Sequence, residues 1–117
     1  MPRSPLRGFN RHSVDQLVEE GVHMVYDHSL IKKDEYLGLW IFQYNLVSIN
    51  PTARINYGKL VEDEIIIHEF LHGYEDLILD PPRDFPESKI EYWARFHRLR
   101  DSGLAAYIRK PFKDFGF

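Results

Sequence analysis

Apolar residues first recur at helical spacing along Val14, Leu17, Val18, Val22, Val25 and Tyr26. With Ser13 and Gln16 placed as a capping pair, this predicts a helix over 13–29 with a soft spot at Gly21. A charged connector, Ile31 to Tyr36, follows. Leu37 to Gln43 and Leu46 to Ile49 are rich in aromatic and β-branched residues, which predicts two strands as a hairpin or as neighbours, turning at Tyr44-Asn45. Asn50-Pro51 ends the second strand, and 51–57 is a connector with room for one more short strand. A second helix starts near Gly58 or Lys59. Ile65, Ile66 and Ile67 make it apolar nearly all round, so it should be central and buried, with Gly73 able to end it. Asp80-Pro81-Pro82 stops any helix. A third helix opens at Asp84-Phe85-Pro86-Glu87, with Asp84 as N-cap and Glu87 as its capping-box partner, and runs to about Asp101. Leu104 to Lys110 adds a final turn or two. Residues 1–12 read as a loose basic arm and 111–117 as a tail.

These elements describe one α+β domain, and 117 residues suffice for one modest core. A formal net charge of −3 with no long run of one sign gives no attraction for nucleic acid or an anionic membrane. No stretch approaches a membrane span, and the first residues lack the apolar centre of a signal peptide, so a soluble, cytoplasmic protein is expected. The absence of cysteine changes the chemistry more: any zinc site must be built from histidine and carboxylate.

The second helix carries such a set. His68-Glu69-Phe70-Leu71-His72 reads H-E-x-x-H. Residues four apart on a helix share a face, so both imidazoles can bind one zinc ion while Glu69 acts as a general base on the activated water. His12, His23 and His28 lie on no shared apolar stripe and read as surface residues. Catalytic zinc wants a third protein ligand. Glu91 forms an apparent solvent-facing pattern with Arg95 and Arg98, and Glu87 is used as a cap. His97 shares an inward stripe with Ile90, Trp93 and Ala94 and is the first choice, with Glu91 second. Asp101, one turn after His97, is a candidate to orient His68 by taking its second N–H.

With these residues in place the chain resembles a zincin metallopeptidase of the gluzincin group. The third ligand of that group sits on a separate helix, often with an Asp four positions later. His97-Arg98-Leu99-Arg100-Asp101 has that form with His in place of the usual Glu, and in a chain this short it resembles the minigluzincins. The likeness covers roughly 13–101. It implies a reduced zincin fold: a backing helix, a small sheet, an active-site helix and a third-ligand helix. It also implies a substrate-binding edge strand, here Leu46 to Asn50, and latency imposed by the C-terminal segment. The tail 111–117, with three Phe and with Asp114 able to approach the zinc, fits that role, acting on its own chain or a neighbour's.

The expected function is zinc-dependent hydrolysis of a peptide or protein substrate, with Glu69 moving the proton from the attacking water to the leaving amine. An oxyanion donor could come from Tyr44, Tyr57, Tyr74 or Tyr92, none singled out by spacing. The competing interpretations are a zincin-fold binding module without catalysis and a non-metallic helical domain that binds a partner protein.

Overall fold

The computed structural model describes residues 4–32 and 36–112. Among them, helix α1 spans Arg11–Glu19, β1 His23–Tyr26, β2 Gly38–Ile41, β3 Leu46–Ile49, α2 Ala53–Tyr57, α3 Lys59–Leu77, α4 Glu87–Arg100 and α5 Leu104–Arg109, with short 3-10 turns at Pro5–Gly8, His28–Lys32, Phe42–Tyr44 and Lys110–Phe112. The domain is α+β, as expected.

The first helix is shorter than its periodicity predicts. Asn10 and Ser13 form the capping box, each side chain accepting the other's backbone N–H, so the helix starts at Arg11. Gly21 takes φ 91°, a left-handed conformation that turns the chain out of the helix. The apolar residues beyond it become β1, which pairs with β3 from His23↔Leu46 to Tyr26↔Ile49. The described part of the arm before α1, residues 4–10, is not loose. Leu6 and Phe9 are fully buried, and Phe9 meets Tyr74 edge to face.

The sheet order is β1-β3-β2, with β1 parallel and β2 antiparallel to β3. The segment Leu46 to Asn50 is therefore central, and the edge strand that faces the candidate site is β2. Asn45, at φ 48°, makes the turn between β2 and β3 that the sequence placed at Tyr44-Asn45. Asn50 N–H donates to the Leu37 carbonyl, so by antiparallel alternation the amide groups of Gly38 and Trp40 point away from β3, along the outer edge of the sheet formed by the described residues.

Helix α3 runs through the centre and buries Ile66, Ile67, Phe70 and Leu71. It does not stop at Gly73. A Cβ there would stand 3.3 Å from the Trp40 ring, so glycine lets the edge strand press onto the middle of a continuous helix. Residues 53–57 form a short helix and not a strand. Helix α4 begins at Glu87 behind Pro86, with no side-chain cap. Asp84 does not cap it, and Glu87 is free for other contacts.

Helix α4 packs on α3 through Glu64, whose carboxylate accepts from Arg95 at 3.1 Å and Arg98 at 2.8 Å. Glu91 and Arg95 are exposed, as the charged stripe implied, and Arg98 and Arg95 also reach across to α3 through Glu64. At the other side of the domain, Arg109 of α5 binds the buried carboxylates of Glu62 and Asp63 in the first turns of α3. Among the described residues no helix is long and apolar enough to cross a membrane.

Candidate metal centre

His68 and His72 lie one turn apart on α3, and their Nε2 atoms are 3.3 Å from each other. Two nitrogens held about 2.0–2.1 Å from one tetrahedral ion would be separated by about 3.3 Å. The first turn of α4 brings the carboxylate of Glu87 to both rings: one oxygen lies 2.9 Å from His68 Nε2 and the other 2.9 Å from His72 Nε2. All three donor atoms fall within 4.8 Å of one another, so this group could hold a metal ion.

The protonation pattern bears on the fit. His72 Nδ1 is 2.9 Å from an oxygen of Glu75, which is buried and accepts a second hydrogen bond, 2.6 Å, from Phe85 N–H. Each ring nitrogen of His72 thus faces a carboxylate, Nδ1 that of Glu75 and Nε2 that of Glu87, while a neutral imidazole has one N–H to donate. With that N–H on Nδ1 toward the buried Glu75, Nε2 would present its lone pair to a cation shared with Glu87. Burial, followed by the neighbouring His72, holds His68 below the usual histidine range and favours its neutral, ligating form, against the smaller pull of Glu87. The donor set of two imidazoles and a carboxylate suits zinc. Burial pushes the Glu75 carboxyl up, while the Phe85 and His72 hydrogen bonds draw it down.

Glu69 is buried beside this group, pushed up to about 8 by burial and then by the charge of Glu87. It lies under Gly38 of β2. A Cβ on Gly38 would come 3.0 Å from the Glu69 carboxylate and 2.7 Å from Ile65. Trp40, two residues along the same strand face, donates its indole N–H to Asp76 at 2.7 Å. A depression of about 370 Å³ opens here, lined by Tyr36, Gly38, Trp40, His68, Glu69 and Glu87 among others. A second lies beyond His68, between Val61, Ile65, Glu64, Glu91 and Arg95.

The structure does not bring His97 to the pair. His97 is buried, and its Nε2 lies 2.7 Å from the Leu6 carbonyl, among the rings of Phe9, Trp93 and Phe96. It fastens the N-terminal arm to α4, and burial lowers its pKa. Glu87, not His97, stands with the two imidazoles in the group that could hold a metal ion. Asp101 is also elsewhere: both its oxygens are held by Arg11, at 2.8 and 2.9 Å, and one also accepts Gly103 N–H. Glu75 takes the orienting place expected of Asp101, on His72 and not on His68. Glu91 stands one turn after Glu87 on the same helix and close enough to draw the His68 pKa upward.

Among the four tyrosines considered, Tyr74 is buried against Phe9, while Tyr44, Tyr57 and Tyr92 are exposed, and none lines the 370 Å³ depression. Tyr36 does. Asp114 lies outside the described residues. Phe112 is buried against His23 of β1 and Phe70, on the side of the sheet opposite the β2 edge.

The signal for Glu75 was present in the chain, because a residue three after His72 lies on the same helical face. The signal for Gly38 was not, since nothing local to a strand marks which residue will pass over a helix. The chain matches no family model, no curated protein and no solved structure.

Proposed function

We propose that this protein is a zinc-dependent peptidase of zincin type, with His68, His72 and Glu87 as the metal ligands and Glu69 as the general base. The observation that carries this reading is the convergence of two imidazole Nε2 atoms and one carboxylate, with a buried Glu69 beside them under the outer edge of β2.

When bound, zinc supplies Lewis-acid activation of water and of the scissile carbonyl. The chain's own residues supply the rest. Glu69, drawn toward neutral pH by burial, is suited to take a proton from the attacking water and hand it to the leaving amine. A nearby cation would lower its pKa from about 8 and increase the basic form. The outward amides of Gly38 and Trp40 can hold an extended peptide as an added strand next to Glu69. The compact α+β fold, with a three-stranded sheet packed on α3 and the proposed ligands on α3 and α4, is consistent with a reduced zincin fold. With Glu87 in place of His97 as the proposed third ligand, the likeness is to the wider gluzincin group with its usual Glu, and the minigluzincin likeness, which rested on His97, loses its basis.

The deciding experiment pairs metal analysis of the purified chain with digestion of a peptide library. The parent protein should hold about one zinc per chain and cleave. Glu69→Gln should keep the zinc and lose cleavage. Zinc without cleavage in the parent would leave a metal-holding binding module, and no zinc at all would remove the reading.

A further inference from the structure

One turn beyond His72, Glu75 and Asp76 are adjacent on α3 and reach different partners. Asp76 accepts from Trp40 and holds the edge strand. Glu75, buried, reaches the other way, one oxygen on His72 Nδ1 and the other on Phe85 N–H, two residues before Glu87. One side chain thus touches a candidate ligand on α3 and the backbone that delivers the candidate ligand on α4.

Both partners of Glu75 are donors. Phe85 offers a backbone N–H, and His72 offers Nδ1–H when Nε2 is to ligate. Only an acceptor with two free oxygens serves both. An amide of the same size would accept one bond and turn its NH₂ group toward the other donor. We infer that Glu75 is the positioning residue of the metal centre: it selects the His72 tautomer with its lone pair on Nε2, and through Phe85 it fixes the start of α4 so that Glu87 reaches both imidazoles. This rests on the metal-site reading above. It adds a coupling between two ligands from different helices that H-E-x-x-H alone does not contain, and it extends the functional sequence to His68-Glu69-Phe70-Leu71-His72-Gly73-Tyr74-Glu75.

The test uses the full chain as parent, Glu75→Gln and Asp76→Asn, with zinc affinity read by competition against a chromophoric chelator. The His72 tautomer is read from ring nitrogen shifts in the metal-free proteins, and folding from thermal unfolding. Losing the hydrogen-bond partner of a ligating imidazole weakens zinc by about 10–100-fold. Glu75→Gln should show that loss together with a shift of the His72 proton away from Nδ1. Asp76→Asn, whose carboxylate serves Trp40, should bind zinc as the parent does. A purely structural Glu75 would lower the melting temperature while the folded protein kept parent affinity, and that result overturns the inference. So does a parent His72 protonated on Nε2. A parent that binds no zinc, with His72 still protonated on Nδ1, would sink the metal reading and leave the tautomer-selecting contact of Glu75 standing.

Discussion

Gly38 of β2 lies directly over Glu69 of α3, so close that a Cβ would come 3.0 Å from the carboxylate and 2.7 Å from the Ile65 side chain. The absence of a side chain lets the edge strand approach Glu69, the proposed general base, which stays buried without a second strand residue crowding it. Gly38→Ala should displace Glu69 or lift β2. The expected cost is about 1–3 kcal/mol of stability in denaturant unfolding. Peptide turnover should drop by at least about tenfold, in line with a misplacement on the ångström scale. Zinc content should stay at parent level, because the atoms nearest a Cβ at Gly38 belong to Ile65 and Glu69 and not to an imidazole. Parent-like turnover in a folded Gly38→Ala protein would count against this arrangement.

The ligand assignment separates cleanly by helix face. Glu87→Gln should weaken zinc strongly, and Glu91→Gln by less, both read by chelator competition. His97→Ala should leave zinc affinity near parent and lower stability by about 2–4 kcal/mol, from a cavity and an unpaired buried Leu6 carbonyl. If His97→Ala loses zinc while still folded, the sequence-based choice of His97 is restored. If Glu91→Gln loses more than Glu87→Gln, the third ligand sits one turn further along α4.

The pair Arg11–Asp101 gives a pH signature away from the metal. The side-chain hydrogen bond from Arg11 holds the Asp101 carboxyl below its usual range, with burial opposing it. A depressed carboxylate pKa contributes stability that is fully present above its unfolded value, 3.8, and is lost as pH falls through the lower folded value. The pair is solvent-exposed, so its contribution is small and salt-sensitive. The parent should be the more stable at pH 6, and the unfolding curves of the parent and Asp101→Asn should draw together as pH falls below 3.8. A constant gap down to pH 2 would show that Asp101 contributes through something other than its charge.

Latency would make a separate observable. The chain is anchored as far as Phe112, which is buried, so a cut that preserves the fold falls after Phe112 and not after Lys110. If the segment bearing Asp114 restrains the site, removal of 113–117 should raise peptide turnover with no change in melting temperature. Equal turnover in the folded, shortened protein would remove that segment as an inhibitor.

The elements that were legible in the sequence are those whose evidence is local. The H-E-x-x-H pair is one helical turn, so the approach of His68 to His72 follows from the backbone of α3 alone. The turn at Asn45 and the long apolar run around Ile66 were readable for the same reason. The strand at 23–26 was not, because its apolar residues also fit a helix, and Gly21 with β3 as a pairing partner decided between them.

The third ligand shows the limit most clearly. Helix α4 carries two plausible faces: Ile90, Ala94 and His97 on one, and Glu87, Glu91, Arg95 and Arg98 on the other. Periodicity assigns residues to faces but does not say which face meets α3. The structure sets His97 against the docked arm at Leu6 and Phe9 and Ala94 beside Ile65 and His68 of α3. The charged residues line the rim of the same helix contact, where Glu64 binds Arg95 and Arg98 and Glu87 reaches the imidazoles. What the sequence by itself determined is two imidazoles and a carboxylate on one helix, because that geometry is set within five residues. What only the tertiary structure decided is the carboxylate that completes the group and the strand that covers it. Those depend on burial and charge pairing summed over segments far apart in the chain.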